Sequence, residues 1–328
     1  MDNKSNYFVD SAHKIITTVP ALHSLLKAIR DSLRTPPIQT TPIAPVAKQD
    51  IDEIEVLTLD QDWRQICSQM LYGRGLEIGP LQKPMTTHSG MKMEYIDRFT
   101  VADLRAQYPE LNSLPLVEPN IIGDAETLAP VPNDSYDFLI AAHVIEHMKN
   151  PIGALSHWLR VIKPGGLLYL VVPDKRITFD YHRARTSLAH IVLDYKNPSA
   201  ERDFEHYLDF AFSPRNKTGE AAIQEAKDMV KTDYSIHFHT FIPSDVVHLL
   251  TWFTENIFPV HTILGPAKVP GSEEFHFVLK KPLAGRGQNE VLQRCENGQT
   301  ARVDWPAAFP SPIARPNRCS SADMSRPK

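Results

Sequence analysis

The chain has 328 residues, 42% hydrophobic and 23% charged, enough apolar material to bury one large domain or two modest ones. With 39 acidic against 35 basic residues, a net charge of −4 and no long basic run, it lacks the footprint that tracks a phosphate backbone, so no nucleic-acid partner is expected. Three scattered cysteines without a C-x-x-C exclude a disulfide framework and a cysteine-rich zinc site, and the absence of a signal peptide or an apolar run of spanning length predicts a soluble, cytoplasmic protein with no membrane span.

In chain order, apolar residues from Val9 to Leu33 recur at three- and four-residue steps, which predicts an amphipathic helical segment over 1–35. Residues 36–50 are rich in proline and threonine and read as an extended linker. The globular domain is expected over 51–283, and the aperiodic tail of 284–328, with its mixture of proline, serine and charge, reads as disordered. Within the domain, the β-rich runs GLEIG (75–79), KMEYIDR (92–98), PNIIGDA (119–125), YDFLIAA (136–142) and LLYLVVP (167–173) predict five strands. Helical spacing of Leu155, Trp158, Leu159 and Ile162 before a Pro-Gly-Gly stop joins the last two. The helix SDVVHLLTWF, capped by Ser244, precedes two late strands near 258–264 and 274–280. The segment 174–240, rich in charge, His and Tyr, is expected to be a helical insertion forming a lid. This alternation predicts an α/β fold with a mostly parallel sheet covered by helices.

The phrases GRGLEIG, EYIDR, GDAETL, SYDFLIAAHVIEHMKNP, LRVIKPGGLLYLVVPDKRITFD and DYSIHFHTF stand in this order between Leu71 and Lys281. Together they resemble the class I S-adenosylmethionine-dependent methyltransferases, and more narrowly the bacterial type 11 methyltransferase-domain family. The resemblance implies a doubly wound, Rossmann-like sheet with a helical insertion between the fifth strand and the last helix, and S-adenosyl-L-methionine as cofactor. It places Glu77 near the cationic amino-acid end of that cofactor and Gly79 where the backbone passes close beneath it. Asp97 stands 20 residues after Glu77, the spacing at which a strand-end carboxylate meets a ribose diol. Asp124 and Ala125 resemble the pair that meets the adenine, with Glu126 adjacent. Pro80, directly after Gly79, removes a backbone donor and departs from the commoner glycine-rich loop.

His143, Glu146 and His147 read H-x-x-E-H, the zinc order of the inverted metalloproteases. Here, however, His143 follows a strand directly, and Asn150 and Pro151 interrupt the helix that would carry the pair, so the expected role is at the rim of a reaction pocket, with Glu146 and His147 organising the helix start. Transfer to an oxygen nucleophile calls for a proton acceptor, and neutral histidine suits this near neutral pH. His143 is the first candidate. His237 and His239, which alternate in IHFHT, are the second, while Asp174 and Arg176 past the fifth strand would orient a polar acceptor. The expected acceptor is a small molecule or glycan, and no metal is expected. Two other readings stand beside this: a zinc-dependent hydrolase using 143–147, and a cofactor-binding fold without catalysis that serves as an interaction module.

Overall fold

The computed structural model describes residues 54–58 and 60–283; the expected helix over 1–35, the linker of 36–50 and the tail of 284–328 lie outside the described residues. Eight strands form one sheet: β1 (Leu57–Thr58), β2 (Gly73–Ile78), β3 (Met91–Asp97), β4 (Ile121–Ile122), β5 (Tyr136–Ala142), β6 (Ile162–Pro173), β7 (His261–Lys268) and β8 (Glu274–Lys280). Their spatial order is β1-β7-β8-β6-β5-β2-β3-β4. β6, β5, β2, β3 and β4 run parallel, while β8 lies antiparallel between β6 and β7. The order reverses between β2 and β5, the switch point at which doubly wound sheets open a ligand crevice beyond the strands' carboxyl ends.

The strands read as continuous apolar runs because helices cover both faces of a parallel sheet. Leu76, Leu139, Ile140 and all of Leu168–Val172 have no exposed surface. The helices are α1 (Trp63–Ser68), α2 (Val101–Gln107), α3 (Pro151–Val161), α4 (Leu188–Lys196), α5 (Ala200–Phe212), α6 (Gly219–Lys231) and α7 (Pro243–Asn256). Their starts are local. Asp62, Thr100 and Ser187 each accept a backbone N–H three residues on, at 3.2 Å. Asn150 caps α3 through Gly153 N–H, with Pro151 as first helical residue.

Two boundaries differ from expectation. Ile162 opens β6 instead of closing α3, since backbone and not side-chain spacing ends that helix. Ser244 does not cap α7: the helix begins one residue earlier, at Pro243, and Asp245 reaches back to Ile242 N–H at 2.9 Å. Between β6 and α7 the chain builds α4, α5 and α6. α5 and α6 pack with the segment after them around a small core of their own, containing Tyr207, Phe210, Ala222, Ala226, Met229 and Phe238. No helix among the described residues is long and apolar enough to cross a membrane.

Candidate active site

At the carboxyl ends of β2, β3 and β5 the loops leave a cavity of about 540 Å³, walled on the far side by the insertion. Gly79 (φ 56°) turns the chain away from β2, and its N–H donates to Ile96 O at 2.9 Å. A β-carbon there would stand 3.9 Å from Asp97 Oδ2, filling the space over that carboxylate. Asp97 closes β3. Burial raises its pKa above the usual carboxylate range despite the N–H groups of Phe99 and Arg98. The cavity is lined on one side by Asp124, Ala125 and Glu126 and on the other by Leu104, Tyr108, Leu111, Tyr234 and Phe238.

The loop after β4 is held from below. Trp158, fully buried on α3, donates its indole N–H to Ala125 O at 2.8 Å. Asp124 Oδ1 accepts from Thr127 N–H and Oγ1, and Glu126 accepts Asn150 N–H at 3.1 Å. Asp124 thus combines a turn-capping bond with a place in the cavity wall. Burial lifts the Glu126 pKa, as it does that of Asp97.

A second cavity, about 450 Å³, continues past Gly79 and shares Leu81, His143 and His147 with the first. Glu77 borders it, 1% exposed, both carboxylate oxygens facing Met85 N–H at 3.0 and 3.1 Å. Burial drives this carboxyl up to about 7, against the Met85 N–H and the Arg64 charge. Lys83 and Arg64 lie in the same wall.

His143 stands at the junction. It takes φ 55°, a left-handed conformation uncommon outside glycine, while its N–H still donates to Val171 O at 3.0 Å. The sharp turn aims the imidazole across the strand tips. Nε2 meets Glu274 Oε2 at 2.8 Å, and Nδ1 lies 3.7 Å from Glu146 Oε1. Glu274 is itself gripped by both arms of Arg64, at 2.8 and 2.7 Å. Burial lowers the His143 pKa, but the Glu274 hydrogen bond and the charges of Glu146 and Glu274 outweigh it, and the net shift is upward. Glu274 was missed in the sequence because it opens a strand. β8 runs antiparallel to β6, pairing Glu274 with Pro173, so a strand's first residue arrives at the edge where the parallel strands end.

The remaining expected residues separate. His237 lies beneath His147, rings T-shaped at 4.6 Å, with Nδ1 bonded to Asp180 Oδ2 at 2.6 Å. Its Nε2 is 4.0 Å from the buried Glu146, neither of whose oxygens has a hydrogen-bond partner. His239 is wholly buried and turned toward His206 and His190, away from both cavities. Its placement corrects the idea of a pair sharing one pocket-facing side: His237 and His239 pack against different groups. Asp174 is also displaced from the expected pocket edge. It is fully buried and neutralised by Lys268 and Arg176, both at 2.6 Å, and although burial pushes its pKa up, these two cations hold it below the ordinary range.

The H-x-x-E-H letters do not form a helical metal pair. Only Ile145–His147 make a single 3-10 turn; His143 precedes it in a left-handed conformation, bonded to Glu274, and does not share a helix face with His147. A hydrolase built on 143–147 is not favoured by this geometry.

The residues fit an adenosyl amino-acid sulfonium: acids at Asp97 and Asp124 beside a cavity kept open by Gly79, then Glu77 for an ammonium and Arg64 or Lys83 for a carboxylate. Residues 71–218 match the family described as "Methyltransferase domain". Over 83 residues, the chain is 36% identical to a probable S-adenosylmethionine-dependent methyltransferase of Mycolicibacterium smegmatis, a match covering 25% of this chain and 29% of that protein's length. Among solved structures, a SAM-dependent methyltransferase of Methanosarcina mazei aligns with 69% of this chain and 100% of its own at 18% identity and TM-score 0.35. A trans-methyltransferase, CalH, complexed with SAH, aligns over 64% of this chain and 51% of its own at 11% identity and TM-score 0.31. Residues 71–218 thus match a methyltransferase domain, and within the chain a stretch of 83 residues is similar to an S-adenosylmethionine-dependent methyltransferase.

Proposed function

We propose that the protein transfers a methyl group from S-adenosyl-L-methionine to a hydroxyl oxygen of a small-molecule or glycan acceptor. The observation that carries this reading is His143, placed where the two cavities meet and oriented by Glu274 at 2.8 Å. When bound, the cofactor supplies a methyl group already activated by its sulfonium, so the protein's task is arrangement and proton handling.

Asp97 would hold the ribose diol, Asp124 and Ala125 the adenine, and Glu77 the ammonium of the amino-acid end. Glu126, bonded to Asn150 N–H, braces the adenine loop. Glu274 fixes the imidazole through Nε2, as a carboxylate orients a base, and Nδ1 takes the acceptor's hydroxyl proton. The imidazolium that forms lies between Glu274 and Glu146. His237, tied to Asp180, acts on the site through Glu146 as a positioning residue. The insertion shields the site: Arg98 donates to Asp233 O at 2.8 Å and Tyr108 packs on Tyr234 at 5.3 Å, closing the cavity from the lid side.

The test is calorimetry with S-adenosylhomocysteine, followed by product mass spectrometry over hydroxylated sugars and small alcohols. Binding, with methyl transfer to oxygen that fails in His143→Ala, is expected. Absence of nucleoside binding by the parent chain overturns the reading.

A further inference from the structure

Four side chains from three parts of the insertion meet at one buried point. His190 and Asp194 lie one turn apart on α4, His206 comes from α5, and His239 from the segment ahead of α7. His190 Nε2 is 3.1 Å from His206 Nε2 and 3.2 Å from Asp194 Oδ2, and His206 Nε2 is 3.8 Å from the same oxygen. One potential ligand atom from each of the four residues falls within a sphere where all are less than 4.8 Å apart. Ligand atoms around a tetrahedral zinc ion, bonded at about 2.0–2.1 Å, stand roughly 3.3 Å from one another.

The contacts between these side chains leave two polar atoms unsatisfied. Asp194 Oδ2 and His239 Nδ1 are buried without a well-aligned partner, although His239 is fully enclosed. Such orphaned polar atoms cost free energy unless something else satisfies them. The surroundings instead prepare them as ligands. Arg202 donates to Asp194 Oδ1 at 2.7 Å, orienting the carboxylate with Oδ2 inward. His239 Nε2 faces Lys149 O at 3.4 Å, which makes it the protonated nitrogen and leaves the lone pair on Nδ1, the outer-shell pattern of a ligating imidazole.

We propose that His190, Asp194, His206 and His239 bind one zinc ion that ties the three parts of the insertion together. Three imidazoles and one carboxylate suit zinc over magnesium or calcium, which prefer oxygen ligands. Four protein ligands in a closed set mark a structural site, with no position left for substrate. His239 also joins the cluster to the cavity: its N–H donates to Glu146 O at 3.1 Å, beside His143. The sequence reading expected no metal and gave His239 an acid-base role; here it is a ligand. The inference does not rest on the reaction proposed above.

The test measures zinc by plasma mass spectrometry in the full chain purified without chelator. Chelator-treated protein is then titrated with zinc sulfate and with Co(II), whose visible bands report tetrahedral coordination. About one zinc per chain is expected, together with a rise in Tm of several degrees on zinc addition. Zinc content should fall at least tenfold in His206→Ala and Asp194→Asn, and in His190→Ala, where the side chain is only half-buried and the fold is least at risk. His237→Ala, in the separate group Glu146, His147 and His237, should retain the ion. A parent chain that neither contains zinc nor responds to it overturns the proposal, as does zinc content unchanged in folded His190→Ala or lost in His237→Ala alone.

Discussion

Glu77 is buried and Asp97 half-buried; both carboxylates have raised pKa values, and the cause is desolvation in each, yet their consequences differ. Asp97 faces a cavity and would exchange water for a diol. Asp97→Ala should therefore weaken S-adenosylhomocysteine binding by about 10- to 100-fold, the worth of hydrogen bonds to a charged group, with Tm unchanged. Calorimetry and thermal melts on the same samples separate the two effects. Glu77 titrates near 7, so part of the population is protonated when an ammonium arrives. The cation stabilises the carboxylate form and lowers its pKa, so binding near neutral pH must release a proton. Calorimetry in buffers of different ionisation enthalpy should detect that release in the parent and not in Glu77→Gln.

For His143 the sign runs the other way. Glu274 and Glu146 favour the imidazolium and raise the pKa, and the base form exists only above it. Glu274→Gln removes the larger favourable contribution, so the acidic limb of the kcat/KM profile should move to lower pH while maximal turnover falls. His143→Ala should cut kcat by about 10²- to 10⁴-fold with little change in nucleoside affinity. An acidic limb that stays in place in Glu274→Gln would remove the His143 assignment.

At the scale of elements, α3 and the loop after β4 are coupled by one bond, Trp158 Nε1 to Ala125 O. Trp158→Phe keeps most of the buried aromatic volume and deletes the donor. A loss of about 1 kcal/mol in stability and a measurable weakening of nucleoside binding are expected, since Ala125 loses its support. Denaturant unfolding and calorimetry check both. Strand packing is tighter still. A β-carbon at Gly75 would overlap the Phe138 ring, so Gly75→Ala should destabilise the β2–β5 pair by about 1–3 kcal/mol, read as a lower denaturant midpoint.

For the whole molecule, the insertion has its own apolar cluster, separate from the core beneath the sheet that holds Trp63, Phe138, Tyr169 and Val278. Elements with a private core open as units. Hydrogen exchange should find α5 and α6 less protected than β5 and β6 in the unliganded chain, with protection rising when nucleoside fills the cavity that Tyr234 and Phe238 wall. Equal protection in both regions would show one cooperative block instead.

The sequence by itself determined the order of strands and helices, because burial of a parallel sheet writes apolar runs and helix caps act within three residues, as at Thr100, Asn150 and Ser187. It also made Gly79, Asp97 and Asp124 legible as residues ending successive strands, for strand order alone carries such residues to one edge. Tertiary structure decided the rest. Glu274 reaches His143 across 131 positions only because β8 runs antiparallel; Asp174 is withdrawn from the pocket by Lys268, 94 positions away; and His190, Asp194, His206 and His239 meet only where α4, α5 and the chain before α7 converge. Local spacing encodes faces and caps, whereas the partners of a charge depend on which distant elements share its side of the sheet.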